Sequence, residues 1–154
     1  MITPIKTDKA MNLEGKDLLT EQIIGNCYKV HNALGPGFPE KVYQAALLTR
    51  LRAERFMVER EHCFKVLFEG AQVGEFHVDL LVEKRVIVEV KAVIGVTPQV
   101  FSAQVLAYLK AACIPVGLLV NFGNPSCEVR RVALSAKSIR NRRNQENLWL
   151  PHEN

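Results

Sequence analysis

The sequence predicts an α/β fold with a mixed sheet, an α+β arrangement whose elements follow the order αα-βββ-α-β-β. Three observations predict it. Apolar residues recur at helical spacing before and after a Gly-Pro-Gly break. Three strand-like segments then follow one another with short turns. Finally, a predicted helix precedes the nearly continuous apolar run IPVGLLVNF, which is typical of a strand buried on both faces.

Two helices are predicted in the first third of the chain. The first begins at Thr20 and ends at residues 35–37, because the sequence Gly-Pro-Gly breaks a helix. The second has Pro39 in its first turn with Glu40 beside it, and its apolar face continues to about Phe56.

The remaining elements complete the predicted sheet. They are strands at His62–Glu69, Gly74–Glu83 and Arg85–Ala92, a helix at Pro98–Ala111, and strands at Ile114–Asn121 and Cys127–Leu134. We expect the first three strands to form an antiparallel meander. The strand after the crossover helix should lie inside the sheet, parallel to its neighbour.

The length of the chain bounds its domain organisation. With 154 residues, of which 48% are hydrophobic and 23% charged, the chain fits one globular domain. We assign residues 1–17 to a polar leader, 18–134 to the single domain, and 135–154 to a basic C-terminal helix or tail.

The composition argues against several classes of protein. The longest apolar runs are strand-sized, so no segment is expected to span a membrane, and the N-terminus lacks the apolar stretch of a signal peptide. The four cysteines lie far apart without a CxxC pair, so neither disulfides nor a zinc site is expected. These features predict a cytoplasmic protein.

Basic residues crowd the C-terminal quarter, although the net charge is only +4. They are Arg130, Arg131, Lys137, Arg140, Arg142 and Arg143. A cluster of this kind can bind nucleic-acid phosphates. On charge alone, however, a solvated tail is the better interpretation.

Three charged residues stand inside the apolar strands of residues 77–91, HVDLLVEKRVIVEVK. They are Asp79, Glu89 and Lys91. A buried charge costs several kcal/mol unless it is paired or binds a metal. Glu89 and Lys91 leave the same face of their strand, because they are two residues apart.

The length of the turn between these strands decides whether Asp79 joins the other two. A two-residue turn at residues 84–85 would pair Leu80 with Glu89 and direct Asp79 to the opposite face. A three-residue turn at residues 83–85 would pair Asp79 with Glu89, with their Cβ atoms about 5 Å apart. The sequence leaves both alternatives open.

In the three-residue alternative, the two carboxylates repel each other unless a positive charge lies between them. Mg²⁺ is typically bound by one or two carboxylates together with water and substrate phosphate. The competing interpretation is a charged stripe facing solvent, in which Lys91 neutralises Glu89. The spacing of these residues alone matches many hairpins by chance.

Two pairs of residues on helices are candidates to complete such a site. Glu40 and Tyr43 are three residues apart on the second helix, and Gln104 and Tyr108 are four apart on the third. Each also has an ordinary explanation. Both tyrosines suit a core, Glu40 suits the first turn of a helix, and Gln104 suits an exposed position.

Together these motifs resemble those of the GxxExxY proteins. The motif that names the family is present at residues 37–43 as GFPEKVY, and the resemblance extends from Leu19 to Val132 through GEFHVDLLVEKRVIVEVKA, AQVLAYLK and VGLLVNFG. The family is placed among PD-(D/E)XK nuclease-like folds. The resemblance therefore implies a restriction-endonuclease-like α-β-β-β-α-β core, here with an extra N-terminal helix.

The same resemblance implies roles for the acidic residues and the lysine. Asp79 and Glu89 would be catalytic metal ligands, and Glu40 would be an additional acidic ligand. Lys91 would be the catalytic lysine. In the nuclease reaction that this implies, the carbonyl of Val90 would complete the ligands of Mg²⁺ or Mn²⁺.

On the third helix, Gln104 and Tyr108 resemble the Q-x3-Y element of RecB-type exonucleases, which supports the active site and contacts DNA. One position departs from the family. Many members carry a histidine three residues before the glutamine, where this chain has Phe101.

The sequence thus predicts a Mg²⁺- or Mn²⁺-dependent nuclease that hydrolyses phosphodiester bonds in DNA. The candidate nucleic-acid contacts are Tyr43, Arg130, Arg131, Arg140, Arg142 and Arg143. The alternative is a non-catalytic module of the same fold that binds nucleic acid or a protein. The sequence also leaves a homodimer or larger assembly open.

Overall fold

The computed structural model describes residues 17–138 and 140–141. Its elements are α1 (Leu18–Leu34), α2 (Glu40–Ala53), β1 (Val58–Phe68), β2 (Ala71–Val82), β3 (Val86–Lys91), α3 (Gln99–Ala112), β4 (Val116–Asn121) and β5 (Glu128–Ala133). The predicted α/β fold and the predicted order of its elements are confirmed.

The strands form one five-stranded mixed sheet in the order β1-β2-β3-β4-β5. β3 and β4 are parallel, and every other neighbouring pair is antiparallel. The crossover between the two parallel strands contains α3, as connections of this kind require. β4 lies inside the sheet between β3 and β5, which confirms the predicted position of the all-apolar strand.

The start of β1 differs from the prediction. The strand begins at Val58 rather than His62, because Val58 pairs with Val82 of β2 and Arg60 pairs with Leu80. The charged residues 59–61 interrupt the alternation of apolar and polar residues that identifies a strand in a sequence. α2 ends at Ala53, one turn before the predicted end.

The two ends of the domain are described only in part. Asp17, which we assigned to the polar leader, caps α1, since its Oδ1 accepts a hydrogen bond from the Leu19 N–H at 3.0 Å. Residues 136–138 and 140–141 are helical. The rest of the predicted leader and tail lies outside the described residues. Within residues 17–138 and 140–141, no helix is long and apolar enough to cross a membrane.

Helices cover both faces of the sheet. On one face, residues of α1 and α2 such as Ile23 and Leu47 pack against Val88 of β3. On the other face, Val105 of α3 packs against Ile87. Successive side chains of β3 therefore point alternately towards α1 and α2 and towards α3. By this alternation, Glu89 and Lys91 leave the sheet on the α3 face.

Tyr43 of α2 packs in the core beside the Gly-Pro-Gly break. Its hydroxyl donates to the Gly35 carbonyl at 2.6 Å and accepts from the Phe38 N–H at 3.1 Å. Its ring stacks on Phe122, with the ring centroids 4.6 Å apart. Because the side chain is fully buried, the predicted contact between Tyr43 and nucleic acid is not supported.

We expect Tyr43→Phe to lower the free energy of unfolding by about 1–2 kcal/mol, because it leaves the Gly35 carbonyl and the Phe38 N–H without their partner. Urea denaturation measures the change. Tyr28→Phe is the control, since Tyr28 is 46% exposed on α1. Equal effects of the two substitutions would show that the buried hydroxyl stabilises the protein no more than the exposed one.

Candidate active site and metal centre

The turn between β2 and β3 has three residues, Glu83 to Arg85. The ladder pairs Leu80 with Val88 and Val82 with Val86, and this register places Asp79 opposite Glu89. Glu83 and Lys84 both adopt positive φ angles, 52° and 55°. The structure therefore contains the three-residue alternative, which brings the two carboxylates together.

Regular pairing stops on both sides of Asp79. Towards β3, the last pair of the ladder is Leu80 with Val88, and the next pair would be the two acidic residues. Towards β1, the residue opposite Asp79 is Glu61, which has a positive φ of 51° and is not paired in the ladder. Asp79 thus lies at an irregularity of the central part of the sheet.

Each carboxylate accepts a hydrogen bond from the backbone of the opposite strand. The Asp79 N–H donates to Oε1 of Glu89 at 3.0 Å, and the Val90 N–H donates to Oδ2 of Asp79 at 2.7 Å. These two bonds take the place of ladder hydrogen bonds where the strands diverge. They also hold the two side chains in fixed orientations.

The electrostatic environment opposes ionisation of the pair. Burial and, to a smaller extent, the charge of Asp79 raise the pKa of Glu89 to about 8, against the opposing effects of the Asp79 N–H and Lys91. Burial also raises the pKa of Asp79, against the Val90 N–H and Lys91. Two carboxylates held this closely favour either a shared proton or a bound cation.

One oxygen of each carboxylate remains available. Within the described residues, Oδ1 of Asp79 and Oε2 of Glu89 have no hydrogen-bond partner. Carboxylate oxygens are the ligands that Mg²⁺ and Mn²⁺ prefer, and Mg²⁺ usually keeps several waters. The donor atoms present therefore fit a divalent cation of this kind.

Glu40 does not complete the acidic group as predicted. Among the described residues, no three His, Cys, Asp or Glu side chains are grouped closely enough to hold a metal. Glu40 is exposed in the first turn of α2, and its charge makes only the smallest contribution to the raised pKa of Glu89. Glu40 is therefore not a third member of the acidic pair.

Lys91 extends over an aromatic ring of α3. Its Nζ lies 4.4 Å from the centroid of the Phe101 ring, within the range of a cation–π interaction. Its charge opposes the upward shift of the pKa of both Asp79 and Glu89. Phe101, the position at which the sequence departs from the GxxExxY proteins, thus holds the ammonium group of the predicted catalytic lysine.

Of the two polar residues predicted on α3, Tyr108 lies near the acidic pair. Burial is the largest cause of the raised pKa of its hydroxyl, followed by the charges of Glu89 and Asp79. Its ring stacks on Phe76 of β2 at 4.3 Å between centroids. Gln104 is exposed on α3, and no hydrogen bond among the described residues joins it to Asp79, Glu89 or Lys91.

The comparison with protein families agrees with this arrangement. The sequence model of the PD-(D/E)XK nuclease superfamily matches residues 17–132. The chain belongs to this superfamily. Its five-stranded mixed sheet is consistent with the restriction-endonuclease-like fold implied by the sequence. The narrower resemblance to the GxxExxY proteins stays a prediction.

Two further comparisons add little to this assignment. A solved structure described as "Crystal structure of SSO0001" shares 12% sequence identity with a TM-score of 0.47, and the alignment covers 88% of each chain. At this level the likeness carries no inference. A comparison with curated protein sequences gave no match.

The PD-(D/E)XK domain also contains a residue at this site that the sequence did not reveal. The Gln44 side chain of α2 donates from Nε2 to the Asp79 carbonyl at 3.1 Å and accepts from Arg60 at 3.3 Å. Gln44 is only 2% exposed. The one signal in the sequence is a polar residue on the face of α2 that also carries Tyr43 and Leu47.

The predicted arginine contacts do not form one surface. Arg130 pairs with Leu119, which packs on the α3 face, whereas Arg131 pairs with Leu118 on the opposite face. Arg130 also donates to Glu128 at 3.3 Å. Arg140 is exposed near the end of the described chain. The other two predicted contacts, Arg142 and Arg143, lie outside the described residues.

We expect the metal-free protein to lose stability as the pH rises from 4.5, the ordinary pKa of a glutamate, to about 8, the raised pKa of Glu89. In this range the folded protein binds a proton that the unfolded chain releases. Glu89→Gln should remove this loss while keeping an acceptor for the Asp79 N–H. The variant should therefore exceed the wild type at pH 8.5 by on the order of a few kcal/mol, and match it at pH 4.

Urea denaturation in EDTA at both pH values measures the difference. Glu69→Gln is the control, because it removes an exposed carboxylate from the β1–β2 turn. The raised pKa would be disproved if the stability difference between Glu89→Gln and the wild type were the same at pH 4 and pH 8.5.

Proposed function

We propose that the chain is a nuclease that depends on a divalent metal and hydrolyses phosphodiester bonds in DNA. The observation that carries this proposal is the pairing of Asp79 and Glu89, which leaves one free oxygen on each carboxylate and Lys91 on the same face as Glu89. Membership in the PD-(D/E)XK nuclease superfamily supports nuclease activity.

Oδ1 of Asp79, Oε2 of Glu89 and the carbonyl of Val90 are the proposed ligands of Mg²⁺ or Mn²⁺. When bound, the cation supplies Lewis-acid activation of water and neutralises charge at the phosphate. Asp79 and Glu89 hold their orientation through the backbone N–H groups that they accept. We place Glu40 outside the direct ligands, so that it would take part in metal binding only through a bound water.

Lys91 provides the positive charge next to the carboxylates. Its ammonium group orients the attacking water or a phosphate oxygen, and the ring of Phe101 limits the positions that this flexible side chain can adopt. Tyr108 extends the site along α3, where its hydroxyl can contact substrate. Gln104 is exposed one turn before Tyr108, so we propose that it contacts the DNA backbone, as in a RecB-type exonuclease site.

We expect Asp79→Asn and Glu89→Gln each to reduce metal-dependent cleavage roughly 100-fold or more, because each removes a charged ligand of the cation. The assay follows cleavage of labelled single- and double-stranded DNA with Mg²⁺, Mn²⁺ or EDTA. Lys91→Met should also lower kcat. Glu69→Gln serves again as the control and should cleave at the wild-type rate.

Two results would contradict the proposal in different ways. Full activity of Asp79→Asn and Glu89→Gln would place the chemistry elsewhere. If the wild-type protein bound DNA but cleaved it with neither metal, the chain would be a binding module that has kept the nuclease fold.

We also propose that basic residues near the C-terminal end contact DNA phosphates, with Arg140 exposed at the end of the described chain. Replacing Arg140, Arg142 and Arg143 with glutamine should weaken binding and reduce the slope of log K against log salt by about one for each lost contact. Fluorescence anisotropy in EDTA measures the slope without cleavage.

A matched control replaces Arg55, Lys84 and Arg85 with glutamine. These residues lie at and next to the β2–β3 turn, which contacts the segment after α2 through the Glu83 N–H and the Met57 carbonyl. The control removes the same number of charges from the end of β3 remote from Lys91. If both triple variants changed the slope equally, the effect would be one of net charge and not of a C-terminal contact.

A further inference from the structure

We propose that Gln44 is a positioning residue that fixes Asp79 in the orientation that metal binding needs. This inference rests on the metal site of the proposed function. Gln44 does not reach the free carboxylate oxygens. It acts through the backbone of Asp79, to which its side-chain amide donates a hydrogen bond at 3.1 Å.

The need for such a residue follows from the irregular pairing around Asp79. In a regular interior strand, the N–H and the carbonyl of each residue are satisfied by neighbouring strands. At Asp79 the ladder is interrupted towards both β1 and β3. A polar backbone group without a partner in this partly buried position would cost free energy.

Two side chains replace the missing backbone partners. Glu89 accepts from the Asp79 N–H, and Gln44 donates to the Asp79 carbonyl. The third fixed atom is Oδ2 of Asp79, which accepts from the Val90 N–H. Asp79 is thus held at its N–H, its carbonyl and one carboxylate oxygen, while Oδ1 remains free for a ligand.

Arg60 determines which way the Gln44 amide points. A guanidinium group can only donate hydrogen bonds, so the oxygen of the amide must face Arg60 and its nitrogen must face the Asp79 carbonyl. Gln44 therefore joins three elements: α2, which carries it, β1, which carries Arg60, and β2, which carries Asp79. Groups that orient a metal ligand in this way affect metal affinity as well as stability.

The experiment compares Gln44→Met with Asn26→Leu. Methionine has the length of glutamine but cannot donate to the Asp79 carbonyl. Asn26 is a matched control, because it is also 2% exposed and also links separate parts of the fold: from α1 it donates to Glu54, the C-cap of α2, at 3.0 Å, and neither residue contacts the acidic pair. Both variants are studied at temperatures at which they remain folded.

Gln44→Met should lower the affinity for Mn²⁺, measured by calorimetry, about 10-fold or more. In metal-free protein, it should speed hydrogen exchange of the Asp79 and Val90 amides several-fold, because both amides bond to the acidic pair. In the cleavage assay, kcat should fall while the KM for DNA stays near the wild-type value. Asn26→Leu should lower the melting temperature and leave the Mn²⁺ affinity, the two exchange rates, kcat and KM unchanged.

Arg60→Met provides a second test if Gln44→Met does not fold. Arg60 is exposed, and its loss leaves the Gln44 amide in place but unoriented, so the same changes are expected with smaller amplitude. Wild-type values of Mn²⁺ affinity or of Asp79 and Val90 exchange in these variants would overturn the inference. A wild-type protein that neither binds Mn²⁺ nor cleaves DNA would instead contradict the proposed function, and the exchange rates would still decide whether Gln44 positions Asp79.

Discussion

The structure of the site depends on the reciprocal bonds between Asp79 and Glu89, in which each carboxylate accepts an N–H from the opposite strand. These bonds hold together two strands whose ladder has ended, and they do so with two groups that repel each other when ionised. When both groups are ionised, the pair destabilises the apo protein, as the raised pKa of Glu89 indicates. A bound cation would remove the repulsion and so stabilise the folded chain by mass action.

The rest of the fold keeps this pair in place. β3 is covered by helices on both faces, and together with β4 it is the most buried strand pair of the sheet. Glu89 is therefore only 5% exposed, although its side chain carries a carboxylate. The crossover through α3 returns the chain to β4 on the far side of β3 and places Phe101 and Tyr108 over the α3 face. The carboxylates are thus held by a rigid core, which limits how far their oxygens can move.

Much of this arrangement could be predicted from the sequence. The helical spacing, the breaker at residues 35–37 and the all-apolar run identified the elements, and strand alternation placed Glu89 and Lys91 on one face. The length of the turn after Val82 could not be predicted, because Glu83 and Lys84 adopt positive φ angles without being glycine or asparagine. Strand alternation would also have separated Arg130 from Arg131, since adjacent residues of a strand face opposite ways.

Other features depend on tertiary contacts that leave no pattern in one sequence. Whether Tyr43 faces the core or the solvent depends on how α2 rotates against the sheet, and its hydroxyl partners come from the loop before α2. From the sequence alone, Gln44 would be assigned to the surface, because its side chain is polar. It is buried where its amide donates to the Asp79 carbonyl, next to the irregularity of the ladder.

The position of Lys91 shows how the site separates opposite charges that are close in space. A lysine beside two carboxylates would ordinarily form an ion pair with one of them, and this would occupy an oxygen that a cation needs. No ion pair joins Lys91 to Asp79 or Glu89 among the described residues, and its ammonium group lies over the ring of Phe101 instead. A ring attracts the ammonium without supplying a lone pair or a negative charge. Phe101 therefore keeps the lysine near the carboxylates and leaves their free oxygens open, which a histidine at the same position would do only while it is unprotonated.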